Sequence, residues 1–313
     1  MDLLIILGFF LFGLIFGSFL NVCIYRMPQG LSVVRPRSAC PACHAPISSY
    51  DNIPVLSWLI LAGKCRHCKA RISPRYALVE LMTGGFFALS YYIALASPVP
   101  MASAVQLCVL SFLLIGLIFT DADTKLLPDL LTLPGIALGL ALSFLSPVEI
   151  CPDLDRSSGP IGALLPEHLD WRVLSFANSV TGAVFGVAFM QGVALLYRGV
   201  RGKEGMGMGD VKLMAMIGSF LGVELTLFVV LLGSVVGSLF GIVLMLLVFL
   251  KRLARNRKRF KAPPAVVRAR AWRSATLIFR HFQIPFGVFL GAGALVAAFW
   301  GTPLVRWYLG LCQ

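Results

Sequence analysis

The chain has 313 residues, 58% hydrophobic and 13% charged, with a mean hydropathy of +0.86. Soluble domains carry about 25% charged residues, so this composition excludes an ordinary water-soluble enzyme and indicates an integral membrane protein. The net charge of +13 does not call for nucleic acid: the basic residues gather in a few loops, and no nucleic-acid recognition motif accompanies them.

The expected fold is all-α, a polytopic membrane protein of about eight transmembrane helices with a small cytoplasmic zinc-knuckle domain. Repeated apolar stretches near 20 residues support this, at about 3–23, 78–97, 101–120, 130–147, 173–197, 211–222, 224–250 and 283–304. The first lacks a basic n-region and a small-residue cleavage site, so it is read as a retained helix rather than a signal peptide. The sixth is too short to cross alone, because Gly218, Gly222 and Glu224 interrupt its apolar run. Three domains follow: 1–25 as the first transmembrane helix, 26–76 as a cytoplasmic domain, and 77–313 as the remaining membrane domain. No internal repeat is evident.

Lys and Arg set the orientation. Segments 26–75, 121–129, 198–212 and 251–280 hold 24 of the 27, against only Arg156, Arg172 and Arg306 on the other side. Basic loops stay in the cytoplasm, so these four segments face inward and both termini outward. The outward loop 148–172 is acidic, and the inward loop 251–280 reads as a lipid-facing or disordered basic connector.

The inward segment 26–75 is too small for a large core and needs a staple. Cys40-Pro-Ala-Cys43 and Cys65-Arg-His-Cys68 supply one, as two C-x2-C pairs separated by 21 residues. Such knuckles suit one zinc held by four thiolates. A reducing cytoplasm makes disulfides the poorer alternative. Four thiolates leave no open position for substrate, so the expected metal is structural. Cys23 and Cys108 lie in spans as packing residues. Cys151 and Cys312 fall outside, where a disulfide remains open.

Two acidic motifs lie at cytoplasmic ends of spans. One is Phe119-Thr120-Asp121-Ala122-Asp123-Thr124-Lys125-Leu126-Leu127-Pro128-Asp129, the other Glu204-Gly205-Met206-Gly207-Met208-Gly209-Asp210-Val211-Lys212. Carboxylates this close to hydrocarbon are costly and mark function by default. Two brought together can share a proton and activate water. Gly205, Gly207 and Gly209 leave the backbone before Asp210 free to turn and to approach a substrate strand; the plainer alternative is a hairpin whose Asp caps the next helix. Asp129 reads as a cap of the fourth span. Asp121 and Asp123 are rivals for the position facing Asp210, since residues two apart do not share a helix face.

These residues resemble the prepilin peptidases, or type IV leader peptidases, a family of GxGD-type membrane aspartic proteases. The resemblance covers most of the chain. It rests on Gly17-Ser18-Phe19-Leu20-Asn21-Val22, the paired CxxC loop with Asp51-Asn52-Ile53-Pro54, Arg75-Tyr76-Ala77-Leu78-Val79-Glu80, the two aspartate motifs and Ile284-Pro285-Phe286-Gly287, in that order. It implies that Asp121 and Asp210 are the catalytic pair. It further implies cleavage of the basic leader of type IV prepilins or type II secretion pseudopilins after Gly, at the cytoplasmic face of a bacterial inner membrane. Many such enzymes also N-methylate the exposed residue with S-adenosylmethionine, and the family pattern links the Cys-rich domain to this activity, Gly63 included. The plainer reading of Gly63 is a turn into the second knuckle. Asn21 and Glu80 are expected to serve in helix-end hydrogen bonding and in charge pairing with basic residues of the loop. The chain departs from the pattern at Val288, where the family has Pro, and in its long 148–172 and 251–280 loops.

Two other classes fit parts of the sequence. Presenilin-like proteases share the Gly-x-Gly-Asp logic but pair it with Tyr-Asp, where this chain has Thr120-Asp121, and they lack the paired CxxC loop. A non-enzymatic transporter with a zinc-knuckle docking domain would carry more polar groups at mid-span than Gln106, Asn178 and Gln191.

Overall fold

A computed structural model describes residues 2–96, 100–147, 170–202, 207–259, 263–281 and 285–311. Among these residues the fold is all-helical and contains no strand. The helices are α1 (Asp2–Arg26), α2 (Leu56–Ile60), α3 (Arg75–Ala96), α4 (Ala102–Thr124), α5 (Asp129–Leu142), α6 (Trp171–Arg201), α7 (Met208–Arg259), α8 (Pro264–His281) and α9 (Phe286–Leu311). Among the described residues, five helices are long and apolar enough to cross a bilayer: Asp2–Gln29, Arg75–Ala96, Ala102–Thr124, Trp171–Arg201 and Met208–Arg257. Asp129–Leu142 and Phe286–Gly301 are shorter apolar helices.

Lipid tails are as apolar as leucine, so helices in a bilayer are held by close packing rather than by a hydrophobic force. Small residues make that closeness possible here. A Cβ on Gly13 of α1 would lie 2.7 Å from the Cα of Gly84 on α3, and one on Gly17 would lie 2.7 Å from the Cα of Glu80. On α6, side chains at Gly182 and Gly186 would run into the backbone of α7 at Gly218, Gly222 and Met214. Ser179 adds a hydroxyl bond of 2.5 Å to the carbonyl of Ser219. At the centre stands α4, whose Leu110, Leu114, Ile115 and Leu117 are almost fully buried.

Neighbouring contacts fix the direction of each helix. Leu113 and Gly116 of α4 meet Gly135 and Leu131 of α5, an antiparallel pair. Gly135 and Gly139 of α5 then meet Met216 and Ser219, so the start of α7 runs parallel to α5. Asp121 and Ile118 of α4 meet Gly287 and Gly291, making α9 antiparallel to α4. Beyond the middle of α7, Leu225, Gly233 and Gly237 meet Gly301, Leu290 and Phe289 in antiparallel order. The two parts of α7 therefore run in opposite directions.

The reversal occurs at Gly222, whose φ of 71° and ψ of −176° break the helix. That φ lies in the left-handed region, open to glycine at little cost. Length requires the break: 50 residues of straight helix extend about 75 Å, against a hydrocarbon core of about 30 Å. The expected spans 211–222 and 224–250 correspond to the two parts.

The described part of the basic segment 251–280 is helical, which sets aside the disordered alternative. Its first residues continue α7 to Arg259, and α8 folds back on them. Val267, Ala271 and Ala275 are buried at four-residue intervals, which is one face of a helix. Trp272 lies edge-on to Phe249, with ring centroids 5.7 Å apart.

Candidate active site

Asp121 ends α4, where the chain turns through Lys125 in the left-handed conformation, φ 56°. Lys125 donates its N–H to the Asp121 carbonyl at 2.9 Å. The Asp121 side chain is buried, 5% exposed, and its Oδ2 accepts the N–H of Val288 at 3.0 Å. Val288 lies in the first turn of α9, where N–H groups have no partner within the helix and the dipole favours an anion. Gly287 makes the approach possible, since a Cβ there would lie 2.9 Å from Oδ2. The motif Ile284-Pro285-Phe286-Gly287 was quoted above without a role; its glycine accommodates a carboxylate, and Pro285 immediately precedes the helix.

Asp210 stands in the first turn of α7, half-buried, with its N–H on the Gly207 carbonyl at 3.2 Å. Gly209 beside it packs on Leu127, where a Cβ would lie 3.1 Å from the Leu127 Cβ. Leu127 also reaches Gly287, 3.3 Å from the Cβ position there. One side chain thus bridges the glycine next to each aspartate. Of the three motif glycines, Gly205 falls outside the described residues. Gly207 has open space around it.

Among the described residues, the remaining acids of the two motifs are tied to cations. Asp123, the rival of Asp121, is ion-paired with Arg75 at the start of α3. Asp129 does not cap α5 as expected: Pro128 occupies the cap position, and Asp129 accepts from Lys212 Nζ at 2.7 and 2.8 Å. This pair joins the start of α5 to the turn that carries Asp210. Glu204 lies outside the described residues.

Glu80 also departs from expectation. Rather than pairing with a basic residue, its buried carboxylate accepts the N–H of Val55 at 2.7 Å. Asn21 donates its amide to the Tyr76 carbonyl at 2.9 Å. The first contact ties the Cys-rich domain to α3, and the second ties α1 to α3.

In that domain the Sγ atoms of Cys40, Cys43, Cys65 and Cys68 lie within 4.8 Å of one another. Cys40 and Cys68 are 3.8 Å apart, close to the roughly 3.8 Å edge of a tetrahedron with Zn–S bonds of about 2.3 Å. The four soft donors can therefore bind zinc. Backbone N–H groups of Cys43 and Ala42 aim at the Cys40 sulfur and bring its thiol down to about 6, which favours the thiolate that a metal needs.

The two knuckles are copies of one another. Cys40 and Cys65 each accept from the residue four on and donate to the carbonyl five on. His44 and Lys69 occupy the same left-handed position, φ 55° and 59°. Read with this in mind, Cys40–Ser48 and Cys65–Ser73 share the pattern C-x-x-C-x-A-x-I-S, an internal repeat that the sequence reading missed. The turn at Gly63, φ 64°, leads into the second copy and packs on Trp58, 3.0 Å from the Cβ position. Arg66 holds Asp51 through bonds of 2.8 and 2.5 Å and keeps that carboxyl below the usual carboxylate range. Cys151 and Cys312 lie outside the described residues.

Comparison with known proteins gives matches along most of the chain. Residues 11–94 match the bacterial peptidase A24 N-terminal domain, and residues 108–242 match the type IV leader peptidase family. A prepilin leader peptidase/N-methyltransferase of Aeromonas salmonicida is 34% identical over 325 residues, covering 96% of this chain and 92% of the relative. Its counterpart in Pseudomonas aeruginosa is 33% identical over 322 residues, with 96% and 91% covered. One in Neisseria gonorrhoeae is 33% identical over 278 residues, with 81% and 84% covered. No solved structure matches the chain.

Proposed function

Because the chain belongs to the type IV leader peptidase family, we propose that it removes the leader from prepilins or pseudopilins and N-methylates the new terminus. In this reading it lies in a bacterial inner membrane with eight crossings, the two parts of α7 counting separately and the aspartates facing the cytoplasm. Residues 77–313 form the peptidase, 26–76 the zinc-bearing domain linked to methylation, and 1–25 the first transmembrane helix.

Asp121 and Asp210 are its catalytic residues. The observation that carries this is their convergence, from helices far apart in sequence, on the space beside Leu127 and Gly287. Their surroundings differ: the Asp121 carboxylate is held by an α9 amide, whereas Asp210 stands in the first turn of α7 with its own N–H on the Gly207 carbonyl. An asymmetric pair can divide the work. One carboxylate, ionised, takes a proton from water as its oxygen attacks the scissile carbonyl carbon; the other, protonated, donates to the carbonyl oxygen. Collapse of the tetrahedral intermediate breaks the C–N bond and delivers a proton to the leaving amine. The titration belongs to the pair.

Gly205, Gly207 and Gly209 allow the substrate backbone to come close to Asp210. Zinc on Cys40, Cys43, Cys65 and Cys68 would hold the two knuckles together and take no part in hydrolysis. S-adenosylmethionine would supply the methyl group for the freed amine. Gly63, in the turn beside Trp58, belongs to the domain given that step.

The test is mass spectrometry of a prepilin incubated with the purified protein and S-adenosylmethionine. Wild type is expected to remove the leader and add one methyl group to the mature terminus. Asp121→Asn and Asp210→Asn are expected to leave the substrate whole. Cleavage by either variant at the wild-type rate would overturn the assignment.

A further inference from the structure

The peptidase reading makes no use of the helical hairpin formed by the end of α7 and by α8. Its composition is one-sided: residues 251–280 hold 11 Lys and Arg, and no Asp or Glu follows Glu224 anywhere in the chain. Topology alone would explain basic residues in an inward loop. It would not explain their ordered placement on two paired helices.

α8 runs antiparallel to α7. Trp272 meets Phe249, while Phe279 lines a groove with Gly241, Met245 and Phe286. Val267, Ala271 and Ala275 of α8 are buried, while Lys251, Arg255, Arg257, Arg268, Arg270 and Arg273 are exposed. Among the described residues, no carboxylate is ion-paired with Lys251, Arg255, Arg257, Arg268 or Arg273.

Depth identifies what these cations meet. The uncharged run 225–250 ends immediately before Lys251. At 1.5 Å per residue it extends about 39 Å, enough to cross a core of about 30 Å and enter the headgroup layer. Lys251, Arg252, Arg268, Arg270 and Arg273 all fall within four residues of the Phe249–Trp272 pair, or about 6 Å along the helices. The cations therefore form a collar at the level of lipid phosphates. Trp272 is 53% and Leu277 57% exposed. Both continue the α8 surface from the collar toward the bilayer, and a tryptophan at this depth suits the membrane interface. An acidic cytoplasmic protein would account for the charge but not for an apolar continuation in that direction.

We propose that the α7–α8 hairpin is a binding site for anionic phospholipid headgroups of the cytoplasmic leaflet, contacted by Lys251, Arg268, Arg270 and Arg273, with Trp272 seated at the interface. The proposal depends on the membrane orientation and not on Asp121 or Asp210.

The test is native mass spectrometry of the full chain in detergent, titrated with phosphatidylglycerol or phosphatidylcholine, at low and high salt. Wild type is expected to retain phosphatidylglycerol preferentially and to lose that preference as salt rises. A cation near a membrane surface is worth about a fivefold gain in affinity. The triple variant Arg268→Gln, Arg270→Gln, Arg273→Gln should thus bind phosphatidylglycerol about 100-fold more weakly. Replacing the same three residues with lysine should preserve binding. A control with Arg35→Gln, Lys64→Gln and Arg71→Gln, which removes equal charge from the Cys-rich domain, should remain near wild type. Three results would each overturn the proposal: equal retention of both lipids by wild type, equal loss in the glutamine and lysine variants, or wild-type capture of polyglutamate with no lipid preference. The last would reassign the collar to an acidic protein surface.

Discussion

The Cys-rich domain and the aspartate end of the helix bundle are two sites built on opposite principles. In the first, all four sulfurs come from residues 40–68, and each pair is oriented by its own backbone hydrogen bonds. In the second, Asp121, Asp210 and Val288 come from three helices, and the bond that holds the Asp121 carboxylate crosses from one helix to another. A local site depends on its own few residues and its metal. A convergent site depends on every helix that delivers a part. Damage should therefore be contained in the Cys-rich domain and should spread in the helix bundle.

The largest expected effect tests the convergent site at its centre. Asp121→Asn or Asp210→Asn should lower leader cleavage by about 1,000-fold or more, within the range for loss of a general acid or base. Quantified release of the mature prepilin checks this, and zinc content should be unchanged in both variants.

Gly287→Ala should come next, although this residue brings no side chain to the site. Its added methyl would stand 2.9 Å from Asp121 Oδ2 and displace the carboxylate. Small misplacements of reacting groups can cost about 100-fold, so a loss of about 10- to 100-fold in kcat is expected, with KM changed less. Steady-state cleavage kinetics would separate the two.

The contained site makes the opposite prediction. Cys65→Ser, or extraction of metal by a chelator, should abolish methylation and remove the single zinc measured by elemental analysis. Cleavage should fall by less than about tenfold, because Asp121 and Asp210 are fixed by the bundle rather than by the knuckles. If cleavage collapses together with the metal, the two regions are one cooperative unit and the contrast fails.

The smallest effect belongs to the Lys212–Asp129 pair, with side chains 32% and 57% exposed. Exposed ion pairs contribute about 0.2–1 kcal/mol. Lys212→Gln should therefore slow cleavage by only about two- to fivefold, and the charge-swapped double variant Lys212→Asp, Asp129→Lys should recover much of that loss.

The same contrast governs what could be read from sequence. Local signals carried well: paired CxxC spacing places four sulfurs together, and the acidic motifs stand where helices end. Long-range geometry did not. Nothing near Gly287 says that Asp121, 166 residues earlier, will press against it, because a glycine at a helix start has several ordinary explanations. The break at Gly222 was half legible, as an apolar run too short to cross; its left-handed φ and the reversal it produces depend on α6 and α9 packing on either side. The helicity of 264–281 was missed because its charge dominates the composition. Among the described side chains its buried face is Val267, Ala271 and Ala275, small residues that generate a weak periodic signal.

Asp121 borrows its hydrogen bond from the last helix of the chain, and this has a consequence for any attempt to shorten the enzyme. A fragment spanning 108–242 would carry both carboxylates and the glycine-rich turn, yet leave Asp121 without the amide of Val288. Supplying 263–313 as a separate polypeptide would restore that amide without restoring a covalent link. The minimal catalyst, on this geometry, is defined by which backbone reaches the site and not by which motifs the fragment contains.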